Sequence, residues 1–176
     1  MKVRDVAAAI ESFAPLRLQE SYDNSGLIVG RMDDDVHCAL LAVDVTEEVI
    51  AEAVREGCDM IITHHPIVFH AIKRFNSASQ TERNVEEAIR RGIVLYAAHT
   101  NLDSTPDGMS WRVGQMLGLE NMCVMQPSAD EGAGFGVVGE LSSAVESERF
   151  MRDVMERFGV KALRHGDVVK REIRRV

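Results

Sequence analysis

A chain of 176 residues, 45% hydrophobic and 27% charged, has ordinary globular composition and suffices for one domain or two small lobes. That composition excludes a disordered tail, a collagen-like repeat and a small disulfide scaffold. The net charge of −8 argues against a general nucleic-acid binder. Apolar runs such as Cys38 to Val43 are far too short to span a bilayer. The first residues, Met1-Lys2-Val3-Arg4-Asp5, carry no signal-peptide apolar region. Three cysteines, far apart and without a Cys-x-x-Cys pair, fit a reducing, cytoplasmic compartment, with Cys38 as a buried small hydrophobe. The charge is uneven: residues 149–176 hold nine Lys/Arg against four Asp/Glu, which leaves −13 for residues 1–148.

In chain order, Val3, Val6, Ala7, Ile10 and Phe13/Ala14 fall at helical spacing, and Pro15 ends that helix. A loop follows over Glu20 to Gly26. Cys38 to Val43 reads as a strand and Thr46 to Glu56 as a helix stopped by Gly57. Met60-Ile61-Ile62 is a second strand. Ser79-x-x-Glu82 is a capping box for a helix to Arg91, stopped by Gly92, and Ile93 to Ala97 is a third strand. Ser104 or Thr105 caps a further helix with Pro106 at its first position and Gly118 beyond its end. Apolar strands alternating with helices predict a parallel sheet covered on both faces.

After about Asn121 the pattern changes, so the expected lobes are 1–125 and 126–176. The second is read as the start of another α/β lobe. Val137 to Leu141 is a strand, and Ser143-x-x-Glu146 caps a helix ending before Gly159. Val160 to Leu163 and Glu172 to Val176 are short strand-like pieces. The glycines of 134–139 spell a dinucleotide fingerprint but precede a strand instead of following one, so they are not read as a cofactor site.

Ligands of an open parallel sheet bind beyond the carboxyl ends of its strands. Here the three strand ends deliver Asp44, then Thr63-His64-His65-Pro66, then His99-Thr100-Asn101-Leu102-Asp103. Asp44 alone reads equally well as a helix cap. Together these acids and imidazoles suit Zn, Mn, Fe or Ni better than Mg or Ca. Two adjacent histidines at a strand end can serve two neighbouring ions, which hold a bridging hydroxide and clamp a phosphoryl or carbonyl oxygen. Asp103 is placed to bridge or cap a metal; His99 is open as ligand, supporting partner or proton carrier. His37 and His165 lack useful company in sequence and read as solvated, while His70 stays undecided.

Four motifs in order, Glu20-x-x-Asp23-Asn24-x-Gly26-Leu27-x-Val29-Gly30, Asp44-Val45-Thr46, His64-His65-Pro66-x-x-Phe69 and His99-Thr100-Asn101-Leu102-Asp103, resemble the Nif-three-like family. Its members are known as GTP cyclohydrolase 1 type 2 homologues. The resemblance implies a dinuclear-metal α/β protein forming a homohexamer, with His64, His65 and Asp103 as metal ligands. It also implies a later His-x-x-x-Glu pair, which this chain lacks after Asp103, so three of five ligands and an incomplete second lobe are expected.

The expected function is a hydrolase-like protein in which metal-bound hydroxide attacks a nucleotide-like substrate. His64, His65 and Asp103 hold two divalent ions, His99 is catalytic in proton transfer, and Asp44 orients a ligand or water. The alternative is a non-catalytic, metal-binding oligomeric scaffold or regulatory protein. A nucleic-acid partner rests only on the basic segment and on the family, and no membrane partner is expected.

Overall fold

The computed structural model describes residues 1–130, 132–168 and 171–176. The chain divides into two compact units, Met1–Thr105 and Pro106–Val176.

The first unit opens with helix α1, Val3–Phe13, which Pro15 ends as expected. A single turn of 3-10 helix, Leu16–Leu18, leads to strand β1, Gly26–Val29. Strand β2 is Ala39–Ala42 and helix α2 is Glu47–Glu56. Strand β3 is Met60–Thr63, helix α3 is Gln80–Arg91 and strand β4 is Val94–Ala97. A short helix α4, Thr100–Ser104, follows. The caps act as their residue types dictate. The Thr46 hydroxyl accepts from Val49 N, Ser79 accepts from Glu82 N, and the left-handed Gly57 and Gly92 close α2 and α3.

The sheet order is β1-β4-β3-β2. Strands β2, β3 and β4 are parallel neighbours, as the alternation with helices predicts. Strand β1 differs: it pairs antiparallel with β4, so the sheet is mixed. The sequence pattern shows only a loop ending at Gly26 and does not reveal this strand, because Leu27-Ile28-Val29 is too short to show a period.

Alternation along the strands builds two core layers. Val3, Ala7, Val36, Met60, Val94 and Tyr96 form one, with α1. Ile50, Ala53, Ile61, Ala88, Ile93 and Leu95 form the other, with α2 and α3. Met60 and Ile61, adjacent in β3, go to different layers because successive strand side chains face opposite sides. Burying apolar residues on both faces stabilises the sheet by roughly 1.5–3 kcal/mol per large side chain.

The second unit holds helix α5, Met109–Met116, then strand β5, Glu120–Pro127, and strand β6, Gly134–Glu146. Helix α6, Ser147–Phe158, and strand β7, Glu172–Arg175, follow. Its sheet, β5-β6-β7, is antiparallel in both pairings, and with α5 and α6 it gives the second lobe of helices and strands that was expected. A short connection between β5 and β6 permits only a hairpin; a parallel pair needs a long crossover. The expected division at 125/126 differs from the observed one because α5 and β5 pack with β6.

Three further expectations are corrected. Pro106 does not open α5, which starts at Met109 after Gly108. Ser143 caps nothing, since β6 runs on to Glu146, immediately before α6 begins at Ser147. Val160 to Leu163 form no strand and are exposed, so no neighbour supplies the ladder bonds a strand needs.

Candidate metal centre

The polar residues that end β2, β3 and β4 meet at one edge of the first sheet. At the end of β3 the chain turns: the Thr63 hydroxyl donates to His65 O at 2.8 Å, and His65 N donates to Val43 O at 3.0 Å. That turn brings the two adjacent imidazoles to the same side, with ring centroids 4.9 Å apart. His99, just beyond β4, completes a triangle, 5.1 Å from the His64 ring and 5.6 Å from that of His65. One ligand atom from each of the three lies within 4.8 Å of the others.

Each ring is oriented by an oxygen at Nδ1. His64 Nδ1 lies 2.9 Å from Ala98 O, His65 Nδ1 2.7 Å from Asp44 Oδ1, and His99 Nδ1 2.7 Å from Asp23 Oδ1. A carbonyl or an ionised carboxylate can only accept, so each Nδ1 donates and each Nε2 keeps its lone pair. That is the arrangement in which histidine ligates a metal, with an oxygen behind the ring fixing the tautomer. Asp44 therefore stands behind His65 and does not cap α2; Thr46 does that.

Asp103 sits in α4 with Oδ1 3.7 Å from His64 Nε2. Burial pushes its carboxyl above the usual range, against the pull of His64 and His99. A carboxylate desolvated beside three imidazoles gains from a cation there. The donor set, three imidazoles and one carboxylate, fits a divalent transition metal.

Asp23, whose role the sequence left unassigned, stands behind the His99 ring. Its side chain is fully buried. It accepts from His99 Nδ1, Thr100 N at 3.0 Å, the Thr100 hydroxyl, Asn24 N at 2.7 Å and Ser25 Oγ at 2.9 Å. Burial alone would raise its pKa; the bonds from His99 and Thr100 outweigh it and hold the carboxyl well below the usual range. The signal was the Asp23 of the first motif, 76 positions from the histidine it orients. Asn101, also fully buried, accepts from His99 N at 2.9 Å and donates to Ala14 O at 2.7 Å, fixing the His99 backbone to the end of α1.

The other histidines stand apart from the triangle. His37 is exposed, as expected, yet its ring lies 2.9 Å from Asp59, which sequence spacing had hidden. His70 is exposed beside Phe69. His165 is exposed as expected. Among the described residues no helix is long and apolar enough to cross a membrane.

The first unit is thus a mixed α/β unit whose strand ends gather three histidines that could hold a metal ion. Residues 1–176 match Duf34/NIF3 (NGG1p interacting factor 3), and the chain belongs to that family. It is 37% identical over 174 residues to the GTP cyclohydrolase 1 type 2 homolog of Clostridium acetobutylicum, covering 97% of this chain and 65% of that protein. The Clostridium perfringens protein of the same designation is 35% identical over 177 residues, covering 100% and 68%. The fold is similar to the crystal structure of the Staphylococcus aureus hypothetical protein SA1388, with a TM-score of 0.90 and 26% identity over 99% of this chain and 70% of that one.

Proposed function

We propose that the chain carries the metal-holding site of a hydrolase acting on a nucleotide-like substrate. The observation that carries this is the set of three imidazoles, each locked at Nδ1 by an oxygen and converging within ligand distance. His64, His65 and Asp103 hold the ion or ion pair. His99, steadied by buried Asp23, handles a proton at Nε2 or completes the ligand set. Asp44 orients His65. A bound divalent ion supplies Lewis acidity, acidifying water and polarising a phosphoryl or carbonyl oxygen.

The neighbours support this substrate class. Phe69 is 41% exposed and packs edge-on to His99 at 6.3 Å, with Tyr22 beyond it at 6.4 Å, offering aromatic faces to a base. The adjacent cavity is lined by Phe69, His70, Lys73 and Arg74, whose cationic side chains suit phosphate. The designation of the clostridial relatives agrees with a guanine nucleotide.

The test is metal analysis of the full chain loaded with Zn or Mn, followed by assay against GTP and simple phosphoesters. His65→Ala and Asp103→Ala are expected to lose metal, and His99→Ala to lose turnover. Metal content equal to the parent in both metal-site variants would overturn the assignment. A second reading, a non-catalytic assembly module, is favoured by β2, an edge strand with Leu41 74% exposed, and by Val43 just beyond it, 60% exposed. A stable oligomer without turnover in the metal-loaded chain decides for it.

A further inference from the structure

The amino ends of β2 and β3 carry a second cluster, at the opposite end of these strands from the histidines. Cys38 immediately precedes β2 and Cys58 lies two residues before β3. Parallel pairing of the two strands brings these residues, twenty positions apart in the sequence, into side-chain contact with their sulfurs 2.6 Å apart. Their backbones are held. Asp59 N donates to Cys38 O at 3.1 Å, Cys58 N donates to Ala53 O at 2.8 Å, and the Asp59 carboxylate accepts from Cys38 N and His37 N. Cys58 is buried, whereas Cys38 is half-buried.

Two thiolates on one tetrahedral metal ion, each at about 2.3 Å from it, stand roughly 3.8 Å apart. Sulfurs at 2.6 Å are too close for that and a short movement from the bonded distance. The neighbouring Cys38 and burial raise the Cys58 thiol to about 11, so Cys58 stays protonated and quiet until its partner is oxidised.

We propose that Cys38 and Cys58 form a redox modification site, a dithiol that a low-molecular-weight disulfide converts to an intramolecular disulfide. The Cys38 thiol loses its proton and its sulfur attacks one sulfur of the small disulfide, expelling the first small thiolate. Cys58 then loses its proton and attacks Cys38 Sγ in that mixed disulfide, releasing the second. Two protein S–H bonds and one small-molecule S–S bond break; one protein S–S bond and two small-molecule S–H bonds form. The chain is oxidised by two electrons and the reagent is reduced by two. The bond cross-links the roots of the two strands whose far ends carry Asp44, His64 and His65.

The test uses the full chain, reduced and then exposed to excess oxidised glutathione, with thiols counted in denaturant and peptides mapped under non-reducing conditions. Thiols are expected to fall from three to one, with Cys38 linked to Cys58, Cys123 free and the chain a single species on non-reducing electrophoresis. The thermal midpoint is expected to rise by several degrees and to return on reduction. Cys38→Ser is expected to keep both of its remaining thiols, and Cys123→Ser to form the same bond as the parent. Three surviving thiols, glutathione retained on Cys38 with Cys58 free, or linkage through Cys123 overturns the proposal. Because the peptide map is made on the parent chain, its outcome does not depend on whether either variant folds.

Discussion

At the residue scale, the site depends on groups standing behind the histidines. Asp23 is buried and carries five hydrogen bonds, one of them from the His99 ring. Asp23→Asn turns one acceptor oxygen into a donor facing other donors. It is expected to cost about 1–3 kcal/mol in urea unfolding. By displacing an oxygen behind a ligand ring it is also expected to weaken metal binding by about 10–100-fold, read by metal titration. Asp59 contributes to the pH dependence of stability. Burial opposes its ionisation, but bonds from His37 and Cys38 N prevail and lower its pKa in the folded state. A lowered folded pKa stabilises the protein above the unfolded carboxylate value and the benefit is lost as pH falls below it, here under about pH 4. Asp59→Asn is therefore expected to be less stable at neutral pH and to lose less stability on acidification, measured by unfolding at pH 7 and pH 3. The three histidines and Asp103 were legible as letters because strand ends advertise them. Asp23 was legible as a motif letter only, since nothing local says that residue 23 meets residue 99.

At the scale of elements, local chemistry and long-range pairing separate. Thr46, Ser79, Gly57 and Gly92 announce their helix ends, and the structure puts them there. Thr46→Ala is expected to destabilise by about 1 kcal/mol in denaturant unfolding, the usual cost of losing a cap. Strands β1 and β5 escaped the sequence because their partners define them: β1 exists by pairing with β4, and β5 alternates exposed and half-buried residues with little apolar contrast. The Ser143 box failed for the opposite reason: its letters are right, but the ladder of β6 with β7 continues to Glu146 and outcompetes a helix start. Asn101 joins elements, tying α4 and His99 to the end of α1. Asn101→Leu leaves Ala14 O and His99 N without their partner. It is expected to cost about 2–4 kcal/mol by urea unfolding and to lower metal affinity with it.

At the scale of the whole molecule, stability is unevenly shared. Both buried apolar clusters belong to the first unit, with β3 and β4 at their centre. The second unit contributes Leu119 and Ala133 to the buried apolar residues. Native-state hydrogen exchange is expected to show the slowest amides in β3 and β4 and faster exchange through β5, β6 and β7. Equal protection in both sheets would contradict this distribution of the core. The chain spans 65% of the length of its Clostridium acetobutylicum relative.

By itself the sequence determined what local rules govern: where α2 and α3 start and stop, that β2, β3 and β4 are strands, and which strand ends carry imidazoles and carboxylates. Even the family was legible there, because four ordered motifs travel with the fold. Only the tertiary structure decided that β1 runs against its neighbour and that the second sheet is antiparallel. It also decided that His64 and His65 turn to the same side, that Asp23 stands behind His99, and that Cys38 touches Cys58. Each of these is a pairing between segments distant in sequence, or the outcome of a turn at a strand end. Such contacts are selected by burial and pairing across the whole chain, which leave no period in the local sequence.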